Sequence, residues 1–257
     1  TPRELCQKLR RMGLDVPEEH FYTSALATAA FLADQAPGCS VYALGEAGLL
    51  NALYDRGITM NDVNPDYVVI GEARAYSLDT LTKATNLVLA GAKLIGANSD
   101  TCGPTDEGIA PACRALTAPV EIATGKQAYF CGKPNPLMMR TGLRILGCHS
   151  GEAVMIGDRM DTDVISGMES GMSTVLVLSG VSTRRSTSLP TGRAWCSTVW
   201  AISRGWRSRH KERNLPEPLA PGDLHPVKNR DGFRLAARAH ASSSPAVRVT
   251  SWIHLPE

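Results

Sequence analysis

The stretch "AVMIGDRMDTDV", from Ala153 to Val164, carries the densest chemistry in the sequence. Four apolar residues lead into Gly157, and three carboxylates follow within six positions: Asp158, Asp161 and Asp163. A buried strand ending in Gly-Asp delivers a carboxylate to the carboxyl edge of a sheet, where open α/β sheets bind their ligands. "YFCGKPNP" does the same for Lys133 at the end of another strand. Acids facing a lysine across a strand-end crevice suit a divalent cation and a phosphate. Mg²⁺ takes oxygen ligands, usually one or two carboxylates together with water and substrate oxygens. Lysine offers a point charge to a transferring phosphoryl group. Plainer roles exist for the same residues. Acids are favoured in the first turn of any helix, and a lysine before a proline is also an ordinary turn residue.

These residues need strands and helices in alternation to hold them, and the sequence supplies them. Thr1-Pro2 reads as an N-cap and first helical residue, and "RELCQKLRRMG" continues a helix that stops at Gly13. "SALATAAFLADQ" is a second helix, capped by Ser24. Short apolar runs then alternate with amphipathic helices. The strands are "SVYALG", "PDYVVIGE", "KLIGAN", "QAYFCGKP", "AVMIGD" and "STVLVLSG". The helices are "EAGLLNALYDRG", "SLDTLTKATNLVLAGA", "IAPACRALTA", "NPLMMRTGLRILG" and "DTDVISGMESG". The pattern predicts parallel sheets built from βαβ units.

Composition bounds the rest. At 257 residues the chain is long enough for one large α/β domain or two small ones. No apolar run approaches the roughly 20 residues of a membrane helix, and no signal peptide is visible. The seven cysteines are scattered and include no C-x-x-C pair, which suits a reducing cytoplasm and argues against a disulfide framework or a zinc site. The net charge of +2 conceals a split. Residues 1–185 hold 16 basic and 20 acidic side chains, a net −4. Residues 186–257 hold 11 and 5, a net +6, together with all four tryptophans. This break marks a boundary near residue 185.

"GKPNP" followed by "GDRMDTDVISGMESGMSTVLVLSGVS" resembles motifs III and IV of the haloacid dehalogenase superfamily. "FYTSALATA", "VNPDYVVIGEARAYSLDTL" and "LIGANSD" resemble its NagD-like, class IIA phosphatases. The resemblance covers residues 1 to about 185. It implies a doubly wound, Rossmann-like α/β core with an inserted α/β cap. The expected division is a partial core in 1–23, the cap in 24–126, and the core bearing both motifs in 127–185. The implied activity is Mg²⁺-dependent hydrolysis of small phosphomonoesters (nucleotide, sugar or aryl phosphates) in the cytoplasm, through a phosphoaspartyl intermediate. Lys133 matches the lysine that stabilises that intermediate. Asp158 matches the Mg²⁺ ligand, and Asp163 the second acid, which supports the metal and lysine network. Asn98 and Asp100 fall where the family has its T-N-x-D loop, which borders the active site and helps choose substrates. Glu72 and Arg74 follow a cap strand and are further candidates to face substrate, loop-surface charge being the alternative. Asp161 has no fixed family role and reads as a solvated helix-start acid. The expected partners are a small phosphorylated metabolite and a second copy through the cap, with neither a specific nucleic acid nor a membrane.

One element of the pattern is missing. The family's nucleophile and general acid belong to a D-x-D-G motif on an N-terminal strand, and no D-x-D-G occurs in the 257 residues. The motif II hydroxyl is also absent. The expectation is therefore a truncated chain, inactive alone, with an open sheet edge beside the Asp158 strand. Residues 186–257 read as an aberrant or disordered tail. When the third base of each codon is joined to the first two of the next, Ser186–Ile202 permits D-L-A-S-Y-R-P-S-V-V-L-D-S-V-G-D. That string resembles the family's C-terminal end, so a shifted reading frame is the expectation here. The competing classes are a non-enzymatic binding module and a basic, tryptophan-bearing arm for nucleic acid or an anionic surface.

Overall fold

The computed structural model describes residues 1–105, 107–178 and 180–182 in full, and the backbone of residues 199–202 and 248–251. The chain forms two compact units, one from Thr1 to Gly142 and the other beginning at Leu143.

The first unit opens with α1 (Pro2–Arg11). Its capping box is complete: Thr1 Oγ1 accepts from the Glu4 N–H at 3.3 Å, and the Glu4 carboxylate reaches back to the Thr1 nitrogen at 2.7 Å. There follow α2 (Ser24–Gln35), β1 (Ser40–Leu44), α3 (Ala47–Asp55), β2 (Thr59–Met60), β3 (Tyr67–Ile70) and α4 (Leu78–Leu89). Next come β4 (Lys93–Gly96), β5 (Cys102–Thr105), β6 (Gly108–Pro111), α5 (Cys113–Thr124), β7 (Tyr129–Phe130) and α6 (Pro136–Leu146). Five strands form one parallel sheet in the order β2-β1-β3-β4-β7. β5 and β6 make a separate antiparallel hairpin.

The central strand shows how the sequence places the core. β3 is "YVVI", buried at every position. Its side chains alternate between the two faces, as a strand requires. Tyr67 and Val69 join Ala29, Leu32 and Leu53 of α2 and α3. Val68 and Ile70 join Leu87, Val88 and Val120 of α4 and α5. Helices thus cover both faces, which is why this strand is apolar throughout. Each fully buried Val or Ile contributes about 1.5–3 kcal/mol.

The second unit contains β8 (Ala153–Gly157), a wide π-turn (Met160–Val164), α7 (Ile165–Glu169) and β9 (Ser173–Val177). β10 (Val199–Ile202) and β11 (Arg248–Ser251) complete a parallel sheet in the order β10-β9-β8-β11. α7 seats closely on this sheet at Gly167, where a Cβ would stand 2.9 Å from the Met155 Cβ.

Several expectations change. The α2 cap is Thr23, whose Oγ1 accepts from the Leu26 N–H at 3.3 Å; Ser24 is the first helical residue. The helix expected over "IAPACRALTA" begins only at Cys113, because Gly108–Pro111 pairs with Cys102–Thr105 instead. The helix expected over "DTDVISGMESG" is split into the π-turn and the short α7. The edge beside β8 is not open: Arg248–Ser251 pairs there, in register with Ala153–Ile156, and takes up backbone groups that would otherwise lack partners. Lys133 follows β7, which hydrogen-bonds to β4, so its segment belongs to the first unit. Apart from the backbone of β10 and β11, the segment 186–257 and its shifted-frame reading lie outside the described residues.

Candidate functional site

In the first unit four loops leave the carboxyl ends of β1, β3, β4 and β7, and they carry Glu46, Glu72 and Arg74, Asn98 to Asp100, and Lys133. The structure ties these loops together. The Asn98 side-chain amide donates to Glu72 Oε1 at 3.0 Å, and Asn98 Oδ1 accepts from the Asp100 N–H at 3.1 Å. The Arg74 N–H donates to Glu46 Oε1 at 2.9 Å. Ser99 Oγ donates to the Lys133 carbonyl at 2.9 Å. The Gly132 N–H donates to the Ala97 carbonyl at 2.8 Å. Only glycine fits there, because a Cβ at 132 would stand 2.6 Å from that carbonyl oxygen and 2.9 Å from the Asn98 Cβ. Asp100 is buried, whereas Glu72 and Arg74 are exposed.

Thiol chemistry is unfavourable in this unit. Burial pushes the Cys113 thiol up to about 11 and the Cys131 thiol up to about 12. Both remain protonated, and therefore poorly nucleophilic, at neutral pH. Burial likewise raises the Tyr76 hydroxyl, which donates to the Gly71 carbonyl.

In the second unit each acid of "GDRMDTD" has its own partner. Asp163 is 1 % exposed, and its Oδ2 accepts from the N–H groups of Asp158 at 3.0 Å and Arg159 at 3.1 Å. Gly157 makes room for that carboxylate, which would overlap a Cβ at 157. Asp161 is not merely solvated, since the Arg159 guanidinium grips it at 2.9 and 3.2 Å. Asp158, at the end of β8, receives the Val181 N–H on Oδ2 at 2.8 Å. Its carbonyl accepts from the Ser182 N–H at 2.9 Å. Ser182 Oγ in turn accepts from the Met160 N–H at 3.2 Å. Thr162 Oγ1 is buried and has no hydrogen-bond partner among the described residues.

The structure thus gathers Asn98, Asp100, Glu72, Arg74 and Lys133 on one set of loops, and Asp158 and Asp163 on another. The sequence reading gave no role to Ser99, Gly132 or Gly180–Ser182. For Gly132 the signal was available in its place before the lysine. For Ser182 nothing in residue type or local period marked it out.

The chain and its fold match known proteins. Residues 1–59 match the family described as haloacid dehalogenase-like hydrolase, and residues 130–198 match a HAD-hydrolase-like family. The chain is 51% identical over 182 residues to a dihydroxyacetone phosphatase of Corynebacterium glutamicum, covering 71% of this chain and 66% of that protein. It is 44% identical over 182 residues to the ribonucleotide monophosphatase NagD of Escherichia coli K12, covering 71% of each. The solved structure of that NagD superposes with a TM-score of 0.70 at 40% identity, covering 79% of this chain and 78% of that one. The chain spans about two thirds of the length of the first of these relatives. The chain belongs to the haloacid dehalogenase-like hydrolases, with an α/β core of that type, and within them to the NagD-like phosphatases. These relatives are named as phosphatases.

Proposed function

We propose that these residues furnish the lysine and metal-binding parts of a Mg²⁺-dependent phosphatase acting on small phosphomonoesters, with residues 24–126 as its cap. The observation that carries this reading is the state of Asp158. It stands at the carboxyl end of β8 with Oδ2 held by the Val181 N–H, and among the described residues no hydrogen bond takes up its other oxygen. A hard carboxylate oxygen of this kind fits Mg²⁺, which completes its shell with water and phosphate. No group of three or more acidic, histidine or cysteine side chains gathers among the described residues, so further ligands must come from elsewhere. When bound, Mg²⁺ would offset charge on the phosphoryl oxygens. Lys133 would supply a fixed cation to a phosphoryl group, and Asp163 would hold the Asp158–Arg159 backbone in place. The exposed Glu72 and Arg74, with Asn98 and Asp100, would contact the rest of the substrate. A small phosphorylated metabolite is the proposed substrate, and a second copy of the chain, through the cap, the proposed partner. The proposed compartment is the cytoplasm, in keeping with six free cysteines among the described residues. No described helix is long and apolar enough to cross a membrane.

The nucleophile would come from a D-x-D-G strand, which the 257 residues do not contain. The test compares the chain with one extended upstream by such a strand, using p-nitrophenyl phosphate and Mg²⁺. The extended protein should hydrolyse it at least about 10⁴-fold faster. Lys133→Ala in that background should lower kcat by roughly 10²–10³. A wild-type rate in Lys133→Ala would refute the role of the lysine. Turnover by the unextended chain that disappears in Asp158→Ala would refute the need for the added strand.

A further inference from the structure

The loop that follows β9 touches Asp158 at three points, and none of its residues belongs to the acid motif itself. Gly180 is the first. Its φ lies outside the left-handed region, so backbone freedom does not require glycine at this position. Space does, because a Cβ on residue 180 would overlap the Asp158 carboxylate. Val181 is the second, donating its N–H to Asp158 Oδ2 at 2.8 Å. Ser182 is the third, and it is 6 % exposed. Its N–H holds the Asp158 carbonyl at 2.9 Å, while its Oγ holds the Met160 N–H at 3.2 Å. The serine therefore grips the chain on both sides of Arg159.

A carboxylate that binds a cation through one oxygen gains from having its other oxygen fixed, since no rotamer freedom is then lost on binding. We propose that Gly180, Val181 and Ser182 are positioning residues that pre-set the Asp158 carboxylate for its metal ion. The proposal rests on the reading of Asp158 as a Mg²⁺ ligand. Gly180 provides the space, Val181 the orientation, and Ser182 locks the loop to the strand end. None of the three is asked to touch metal or substrate.

The test uses Mn²⁺ as the probe and the chain extended upstream by a D-x-D-G strand, which would supply the further ligands, with free Mn²⁺ followed by electron paramagnetic resonance. Asp158→Asn should abolish specific binding. Gly180→Ala should weaken it by about tenfold or more, the usual cost of losing an outer partner of a ligand. Ser182→Ala should weaken it about threefold to tenfold, and Ser182→Thr, which keeps the hydroxyl, should stay within about twofold of wild type. A merely structural role for the serine would lower thermal stability in Ser182→Ala without moving Mn²⁺ affinity. Loss of binding in Asp158→Asn, with wild-type affinity in both Gly180→Ala and Ser182→Ala, would overturn the positioning role and leave the metal assignment standing. Wild-type affinity in Asp158→Asn, or no saturable binding by the extended chain that carries no substitution, would overturn the metal assignment and the positioning role with it. Near-UV circular dichroism checks folding. Should Gly180→Ala fail to fold, the Ser182→Ala and Ser182→Thr pair decides the matter.

Discussion

The two strand-end clusters hold their polar groups by different means. In the first unit the exposed Glu72 carboxylate is held by a side chain, that of Asn98. In the second unit main-chain N–H groups hold Asp158 and Asp163. Asp163 takes two of them and Asp158 one. A side-chain pair on a surface loop is worth little and is readily exchanged. A buried carboxylate held by backbone is fixed wherever the backbone is fixed. The difference suits their proposed tasks. Loops that meet varied substrates tolerate exchange, whereas a metal ligand must not move.

The comparison is most directly broken by removing one acid from each cluster. Asp163→Ala leaves two N–H groups without an acceptor in a site closed to water, at a cost of about 2–4 kcal/mol. Glu72→Ala removes an exposed acceptor and should cost within about 0.5 kcal/mol. Urea unfolding of both variants measures the contrast, and equal shifts in midpoint would remove the distinction between the clusters. Gly132→Ala should fall between them. Its Cβ would press on the Ala97 carbonyl, forcing apart two loops that are otherwise joined by main-chain bonds. A loss of about 1–3 kcal/mol is expected. Amide exchange at Gly132 should rise with it, since that N–H is the bond under strain.

What the sequence revealed follows the same line. The α1 cap was legible because its bonds join residues three positions apart, Thr1 and Glu4, with Pro2 between them. β3 was legible because four apolar residues in a row between polar flanks admit few other readings. The α2 cap was misplaced by one residue because two hydroxyls, Thr23 and Ser24, stand side by side and only the backbone decides which of them caps. The run Ile109–Cys113 has neither a clean helical nor a clean strand period, so its split between β6 and α5 was set by pairing with Cys102–Thr105. The acids at 158 and 163 were visible by type and spacing, but their partners were not. Val181 reaches Asp158 across 23 positions through its main chain, and a backbone N–H looks the same in every residue except proline.

One polar group in the second unit escapes this pattern and gives the smallest expected effect. Thr162 stands beside Asp163, is 1 % exposed, and its Oγ1 finds no hydrogen-bond partner among the described residues. Its carbonyl is used, accepting from Ser166 Oγ, so the orphan is the hydroxyl alone. A buried hydroxyl without a partner bears its full desolvation cost, and a methyl in the same place bears none. Thr162→Val should therefore leave the 257-residue chain unchanged or raise its stability by up to about 1 kcal/mol. Most buried Thr→Val changes go the other way, because the hydroxyl is usually bonded. The same substitution in a chain extended by an upstream strand offers a sharper comparison. If an added backbone group bonds Oγ1, Thr162→Val becomes destabilising by about 1 kcal/mol. A thermal melt of the two pairs reads the change of sign directly. Destabilisation in the unextended chain would show that Oγ1 already has a partner.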